Sequence, residues 1–336
     1  MSDVSSTEPT TRPDVTEDDV RPDGASDAAP TAEQRAWLAV LESDDAADQP
    51  RSRWYRLSPT ARRRLTRATR PGYYVLLLLG GVAMVLPFLW MLSTSLKTEA
   101  NVFTTPPAWI PAPVRWQNYG DALGIAPFAR FFLNSFVVAA GEVVGGLLVS
   151  AIAAYVFARL HFPGKNALFI VVLATMMVPA HVELIPQFIL VRELGWLDTF
   201  AALIVPGLFW PFGIFMLRQF FKSVPDELED AARMDGAGYL RRLFGLFIPL
   251  SVPALAALAI FKFLNSWNQL IGPLIFLTSR EKFTITLGLA QFQGQFETRW
   301  ALLMAATVVS LVPILVVFVI GQRYFVEGVT LSGLKR

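Results

Sequence analysis

The chain has 336 residues, 54% of them hydrophobic and only 17% charged, against about 25% charged in an ordinary soluble protein. Cysteine is absent, which excludes disulfide frameworks, thiolate metal sites and cysteine nucleophiles, and two histidines, His161 and His181, are too few for a histidine-rich metal centre. The net charge of +2 excludes little, but its distribution along the chain is uneven.

Residues 1–50 hold thirteen Asp or Glu and three Arg among many Ala, Pro, Ser and Thr. Such a stretch buries too little apolar surface to offset the entropy of ordering it, so a disordered acidic tail is expected. Within it Trp37, Val40 and Leu41 fall at helical spacing, suggesting a short transient helix over 32–42. The segment does not read as a secretory signal, since the first long apolar run starts only at Tyr73. Residues 51–72 reverse the sign with eight arginines and no acid, a basic juxtamembrane segment suited to anionic lipid.

From residue 73 onward the pattern is that of a membrane bundle. Residues 73–92 carry no charge and are long enough to cross a hydrocarbon core of about 30 Å as a helix. Further spans are predicted at 131–157, 167–191, 200–217, 246–277 and 301–322, with prolines that kink a helix at 179 and 186 in the third and at 249 and 253 in the fifth. The fold class expected is therefore all-α, a six-span helix bundle. Arginine 51–70 before the first span, and basic residues in 158–166, 218–245 and the C-terminal segment, place both termini in the cytoplasm. In the second span Gly141, Gly145, Gly146, Ser150 and Ala154 make a stripe of small residues that lets helices pack closely.

The segment between the fourth and fifth spans, 223–249, is the most informative. Ser223 suits an N-cap, Pro225 a first turn, and Asp226, Glu227, Glu229 and Asp230 the positive end of a helix. Leu228, Ala231 and Ala232 share a face with small side chains, and Asp235-Gly236 breaks the helix. Leu240, Leu243, Phe244 and Phe247 then resume helical spacing. From the residues alone this is a helix–turn–helix between two spans, either an interfacial loop or a platform for a cytoplasmic partner.

The run Asp230-Ala231-Ala232, with Gly236 four positions on and Leu246-Phe247-Ile248-Pro249 after a gap, resembles the EAA loop of bacterial ABC importer permeases. Asp230 stands where that family usually has Glu, and Glu229 adjoins it. Pro87–Met91, Ser93–Lys97, Pro106–Pro111 and Asn118-Tyr119 resemble the start of the carbohydrate branch of that family, of the maltose-system G-subunit kind. Asn265–Asn268 with Gly272-Pro273-Leu274, and Gln322–Gly328 through Lys335, resemble its fifth span and tail. The similarity covers roughly 73–336, leaving the first seventy residues without a counterpart.

What the resemblance implies is a type I importer fold, with a coupling helix formed around Leu228, Glu229, Asp230, Ala231, Ala232, Asp235 and Gly236 that seats in an ATPase subunit. It also implies a second homologous permease subunit, a cytoplasmic ATPase dimer and an extracytoplasmic solute-binding protein, working by alternating access. No phosphate-binding loop is present: Gly164-Lys165 is followed by Asn166, so ATP hydrolysis falls to a partner chain and this chain is expected to be no enzyme, with neither cofactor, metal nor nucleic acid. Lys262, Asn265, Asn268 and Gln269 fall on one helical stripe, either facing the path of a polyhydroxylated solute or bonding between helices. Glu142 stands as the lone charge inside the second span, as a solute contact, a gate or an ion-pair partner of Lys262. His181 and Glu183 are expected near the outer end of the third span, and Trp267 in packing.

Two other readings compete. An ion-coupled secondary carrier would transport without an ATPase, but neither an intramembrane carboxylate chain nor an inverted repeat is apparent. A membrane sensor or scaffold would lean on the acidic tail. Glycerol phosphate remains a non-sugar alternative among the cargoes of similar permeases.

Overall fold

The computed structural model describes residues 59–293 and 298–333, with side chains between 72 and 323, and Ala32 alone further upstream. The predicted acidic tail, the short helix over 32–42 and the arginines before residue 59 thus lie outside the described residues, as do the last three residues. Two units are distinguished, 1–79 and 80–336; the described part of the first is helical throughout.

Among the described residues the regular structure is helical, with one isolated β-bridge between Gln293 and Thr298. Helix α1 (Pro59–Ser95) starts on a proline, whose missing N–H costs nothing in a first turn. It is followed by α2 (Gln117–Ile125), α3 (Phe128–Arg159), α4 (Lys165–Thr175), α5 (Ala180–Glu193), α6 (Ala201–Leu208) and α7 (Pro211–Ser223). Then come α8 (Asp226–Met234), α9 (Tyr239–Arg242), a π-helical turn at Leu243–Phe247, and α10 (Ile248–Leu250). The chain closes with α11 (Val252–Trp267), α12 (Ile271–Phe276), α13 (Ile285–Ala290) and α14 (Trp300–Gly333).

Among the described residues four stretches are long and apolar enough to cross a membrane, 72–95, 128–159, 201–223 and 300–323, or up to six if each of two bent pairs is one span. The predicted third span is no single helix: α4 and α5 meet at 98°. Pro179 sits directly before α5, where its ring and missing N–H prevent α4 from continuing. The predicted fifth span bends by 81° around Ser251 and ends at Trp267, short of 277. Ser223 closes α7, its hydroxyl donating to the Phe220 carbonyl at 2.7 Å, and α8 begins only after the extended pair Val224-Pro225. It is therefore not the N-cap that its position suggested.

Helix α3 lies at the centre, packed on α6, α7 and α11. Its small residues are matched to specific neighbours. A Cβ on Gly141 would come within 2.8 Å of Ile204, and one on Gly145 within 2.4 Å of Leu208, so the GxxxG face receives α6. Ala151 and Ala154 are buried with Leu217 and Phe221 of α7 and Leu258 of α11.

Towards the N-terminal end of α3, polar contacts hold the connections. Asn118 Nδ2 donates to the carbonyls of Ser95 (2.8 Å) and Lys97 (2.7 Å), and the Ser95 and Tyr119 hydroxyls meet at 2.8 Å. The Lys97 ammonium is buried against the Trp90 ring at 4.0 Å, and burial holds it below the usual lysine range. Glu99 caps α14, accepting from the Trp300 and Ala301 amides. Asn134 of α3 donates to the carbonyls of Glu281 (2.8 Å) and Phe283 (2.9 Å), while the Ser135 hydroxyl accepts from the Ile285 amide at 2.8 Å.

A clasp that no sequence motif announced joins the loop before α6 to the segment after α12. Asp198, at φ 56°, accepts from the Thr278 amide (3.1 Å) and the Ser279 amide (2.9 Å) and pairs with Lys282 at 3.0 Å. The Ser279 hydroxyl, then its amide, holds the Asp198 carboxyl well below the usual carboxylate range. Because the folded-state pKa is depressed, the clasp's contribution is complete above the ordinary carboxylate pKa of about 4 and is lost only as pH falls well below it. Asp198→Ala should cost roughly 1–3 kcal/mol, read as a lower melting temperature in detergent. Asp198→Asn, which tolerates the same backbone conformation, should cost less.

Candidate functional site

Glu142 of α3 and Lys262 of α11 are both buried, and their side chains meet at 2.9 Å. The Ser266 hydroxyl donates to the other Glu142 oxygen at 3.0 Å. Helices α6 and α3 can approach the pair because small residues surround it: a Cβ on Gly207 would sit 2.7 Å from Glu142 Oε2, and one on Gly146 would sit 3.4 Å from Lys262 Cε. A charge in an apolar interior is tolerable only with such a partner.

Beside this pair opens a cavity of about 520 Å³, lined from α3, α5, α6, α11 and α12. The lining includes Glu142, Lys262, Asn265, Asn268 and Gln269, so all five residues singled out for a solute path face one space. The last two lie beyond the end of α11, in the turn that leads to α12. Asn268 Nδ2 is returned to the Leu264 carbonyl at 2.8 Å, which leaves its amide oxygen for other partners. His181, Glu183 and Gln187 line the same cavity from the first turns of α5. They were expected near the outer end of the third span; the 98° bend there puts the start of α5 on the cavity that Glu142 and Lys262 also line. Trp267 is a packing residue, buried and stacked on Phe263, with its indole N–H donating to the Ser310 carbonyl at 3.2 Å.

The second constellation gathers at the other end of α3. Helix α8 ends at Met234 with Asp235 as its C-cap, and Gly236 at φ 74° turns the chain in the left-handed region, so the Gly236 and Ala237 amides cap the open carbonyls of Arg233 and Ala232. Leu228, Asp230, Ala231, Asp235 and Gly236 are exposed, Ala232 half-buried, and Glu229 buried. The predicted loop residues therefore divide into an outward face and one inward carboxylate. Glu229 Oε1 accepts from the Arg242 guanidinium at 2.8 Å and the Tyr155 hydroxyl at 3.2 Å, and its other oxygen lies 3.6 Å from Arg159 Nε. Arg159 also bonds Asp226 and the carbonyls of Phe221 and Val224, which secures the elbow between α7 and α8. Behind them Phe247 packs between Tyr155 and Phe221, with ring centroids at 5.1 and 5.3 Å.

Arg159, Arg242 and Tyr155 went unmarked in the sequence, where the two arginines served only as signs of topology. The available signal was an acid-rich helix between two arginine-bearing helix ends. The apolar stripe of the second helix also splits: Leu243 and Phe247 are buried at 1% and 0% exposure, whereas Leu240 and Phe244 remain 67% and 48% exposed. The π-helical turn between Leu243 and Phe247 accompanies this split.

Removing one partner of the buried pair should be costly: Glu142→Gln or Lys262→Met alone should lose about 3–5 kcal/mol, whereas the double variant should recover most of it. Thermal unfolding of the purified variants, compared as a double-mutant cycle, checks this.

Residues 146–330 match the family model described as binding-protein-dependent transport system inner membrane component. The chain is 34% identical over 261 residues to the diacetylchitobiose uptake system permease protein NgcG of Streptomyces coelicolor, covering 76% of this chain and 86% of that one. It is 36% identical over 251 residues to the sulfoquinovosyl glycerol transport system permease protein SmoH of Agrobacterium fabrum, covering 74% and 88%. Among solved structures, a chain of a bacterial ABC transporter involved in the import of the acidic polysaccharide alginate superposes with a TM-score of 0.69 at 25% identity, over 78% of this chain and 98% of that one. The family match spans more than half of the chain and the relatives about three-quarters, so this protein belongs to the family of binding-protein-dependent transport system inner membrane components.

Proposed function

We propose that the chain is a pore-forming permease subunit of an ATP-driven carbohydrate importer, and that the cavity beside Glu142 and Lys262 is its share of the solute path. The observation that carries this reading is that cavity, in which Asn265, Asn268, Gln269 and Gln187 bring amide groups to one space between membrane helices. Amides both donate and accept, which suits hydroxyl-rich solutes. The relatives' cargoes, diacetylchitobiose and sulfoquinovosyl glycerol, are of that kind.

Among the described lining residues Lys262 and His181 are the basic side chains, and Lys262 is already neutralised by Glu142. Glu183 adds an acid. The amides are therefore the main attraction this wall offers, and a charged group on a solute, such as the sulfonate of sulfoquinovosyl glycerol, would have to be met elsewhere in the pore.

In this reading both termini and α8 face the cytoplasm, where the exposed face of Leu228, Asp230, Ala231 and Asp235 seats on an ATPase dimer. A second, homologous permease completes the pore, and an extracytoplasmic binding protein delivers the solute. ATP hydrolysis belongs to the partner ATPase, and the ion-coupled carrier reading gives way to family membership.

Two measurements test the assignment in the reconstituted complex with its binding protein. Asn268→Ala should lower uptake several-fold with assembly intact; unchanged uptake would remove the turn after α11 from the solute path. Ala231→Arg should abolish co-purification of the ATPase while membrane insertion persists. Retained ATPase would sink the docking assignment.

A further inference from the structure

Glu229 stands apart from the rest of α8 because its carboxylate points away from the exposed face and into the membrane helices. Its two guanidinium partners belong to two different arms. Arg159 ends α3, the helix that carries Glu142 seventeen residues earlier, about 25 Å along the axis at about 1.5 Å per residue. Arg242 ends α9, from which the chain runs through the π-helical turn and α10 into α11, the helix that carries Lys262.

The second arm bends by 81° but stays hydrogen-bonded across the bend. The Ser251 amide and hydroxyl both donate to the Phe247 carbonyl, at 3.0 and 2.8 Å, and the Leu255 amide donates to the Ser251 carbonyl at 2.8 Å. Ser251 is fully buried. The apolar core behind the arginines joins both arms, with Tyr155 from α3, Phe247 from the π-helical turn and Leu258 from α11. The two arms therefore start at one carboxylate and end at the two halves of one ion pair.

We propose that Glu229 is a positioning residue, the joint through which a displacement of α8 reaches Glu142 along α3 and Lys262 along α9–α11. The assignment rests on the reading of α8 as the ATPase-facing helix, but it concerns the opposite side of that helix. Coupling of this kind can be carried by chains of packed and hydrogen-bonded groups, which both arms supply. Since Glu229 lies off the docking face, its loss should leave ATPase binding intact and break the link between hydrolysis and transport.

The test uses the full transporter in proteoliposomes, with its ATPase and binding protein, comparing uptake of the solute that its binding protein retains with phosphate release. Glu229→Gln should keep ATPase co-purification at the wild-type level while the solute carried per ATP falls at least about fivefold. Glu229→Asp, which keeps the charge, should restore part of the ratio. Glu229→Gln also leaves excess positive charge in a buried site and so threatens folding. The double variant Glu229→Gln/Arg242→Met removes that excess while Arg159 keeps Asp226. It should melt near the wild-type temperature and still show the lowered ratio.

A normal solute-to-ATP ratio in the folded double variant overturns the proposal, as does a parallel fall in uptake and hydrolysis. Loss of the ATPase from Glu229→Gln would reassign Glu229 to docking. Retention of the ATPase by Ala231→Arg would instead count against the underlying reading of α8, so the two failures are distinguishable.

Discussion

A carboxylate set among membrane helices must meet a cation, and much of this bundle is arranged around the place where Glu142 meets Lys262. The contact fixes the crossing of α3 and α11, and it also dictates what can stand nearby. Gly207 is required on α6 because any side chain would enter the Glu142 carboxylate, and Gly146 leaves room for the Lys262 stem. Ser266 fills a further acceptor site. The small-residue stripe of α3 is thus more than a packing convenience. It brings three backbones close enough to enclose a charge pair in an apolar interior, where its electrostatic attraction is strong and an unpaired member would be intolerable.

The same economy governs the far end of α3. Acids crowd the first turn of α8, where they complement the helix dipole. Of these, Glu229 is drawn inward by two arginines and a tyrosine, and Asp226 is bonded by Arg159. The remaining acids, Glu227 and Asp230, stay exposed. One short helix therefore carries an outward face able to meet another protein and an inward anchor that ties it to the transmembrane helices. The proposed coupling needs this separation, with contact on one side of nine residues and attachment to the bundle on the other.

Much of this was legible in the sequence, because hydropathy and helical period are local properties. Apolar runs matched the four long apolar helices, and a spacing of three and four placed Lys262, Asn265 and Asn268 together. Acid followed by Asp-Gly marked α8 and its end. What escaped depended on contacts between distant segments or on backbone direction. A hydropathy window over 167–191 is blind to a 98° turn, so His181 and Glu183 were set away from the cavity that they line. The Glu229 partners Tyr155, Arg159 and Arg242 lie on other helices, and no periodicity links them. Asp198 resembles any loop aspartate until its positive φ turns it towards the Thr278 and Ser279 amides.

Gly207 has a consequence for how such a protein diversifies. A Cβ at this position would meet Glu142 Oε2 at 2.7 Å, so a side chain there would have to push the carboxylate away from Lys262, and this part of the wall resists reshaping. Other lining residues are freer: Asn268 and Gln269 lie in a turn beyond the helix end, and His181 and Glu183 lie in the exposed first turns of α5. On the solute path proposed above, a lineage adapting to a new cargo would have one surface tied to the fold and one on which preference could drift. Retuning there would leave the ion pair that holds the helices together undisturbed.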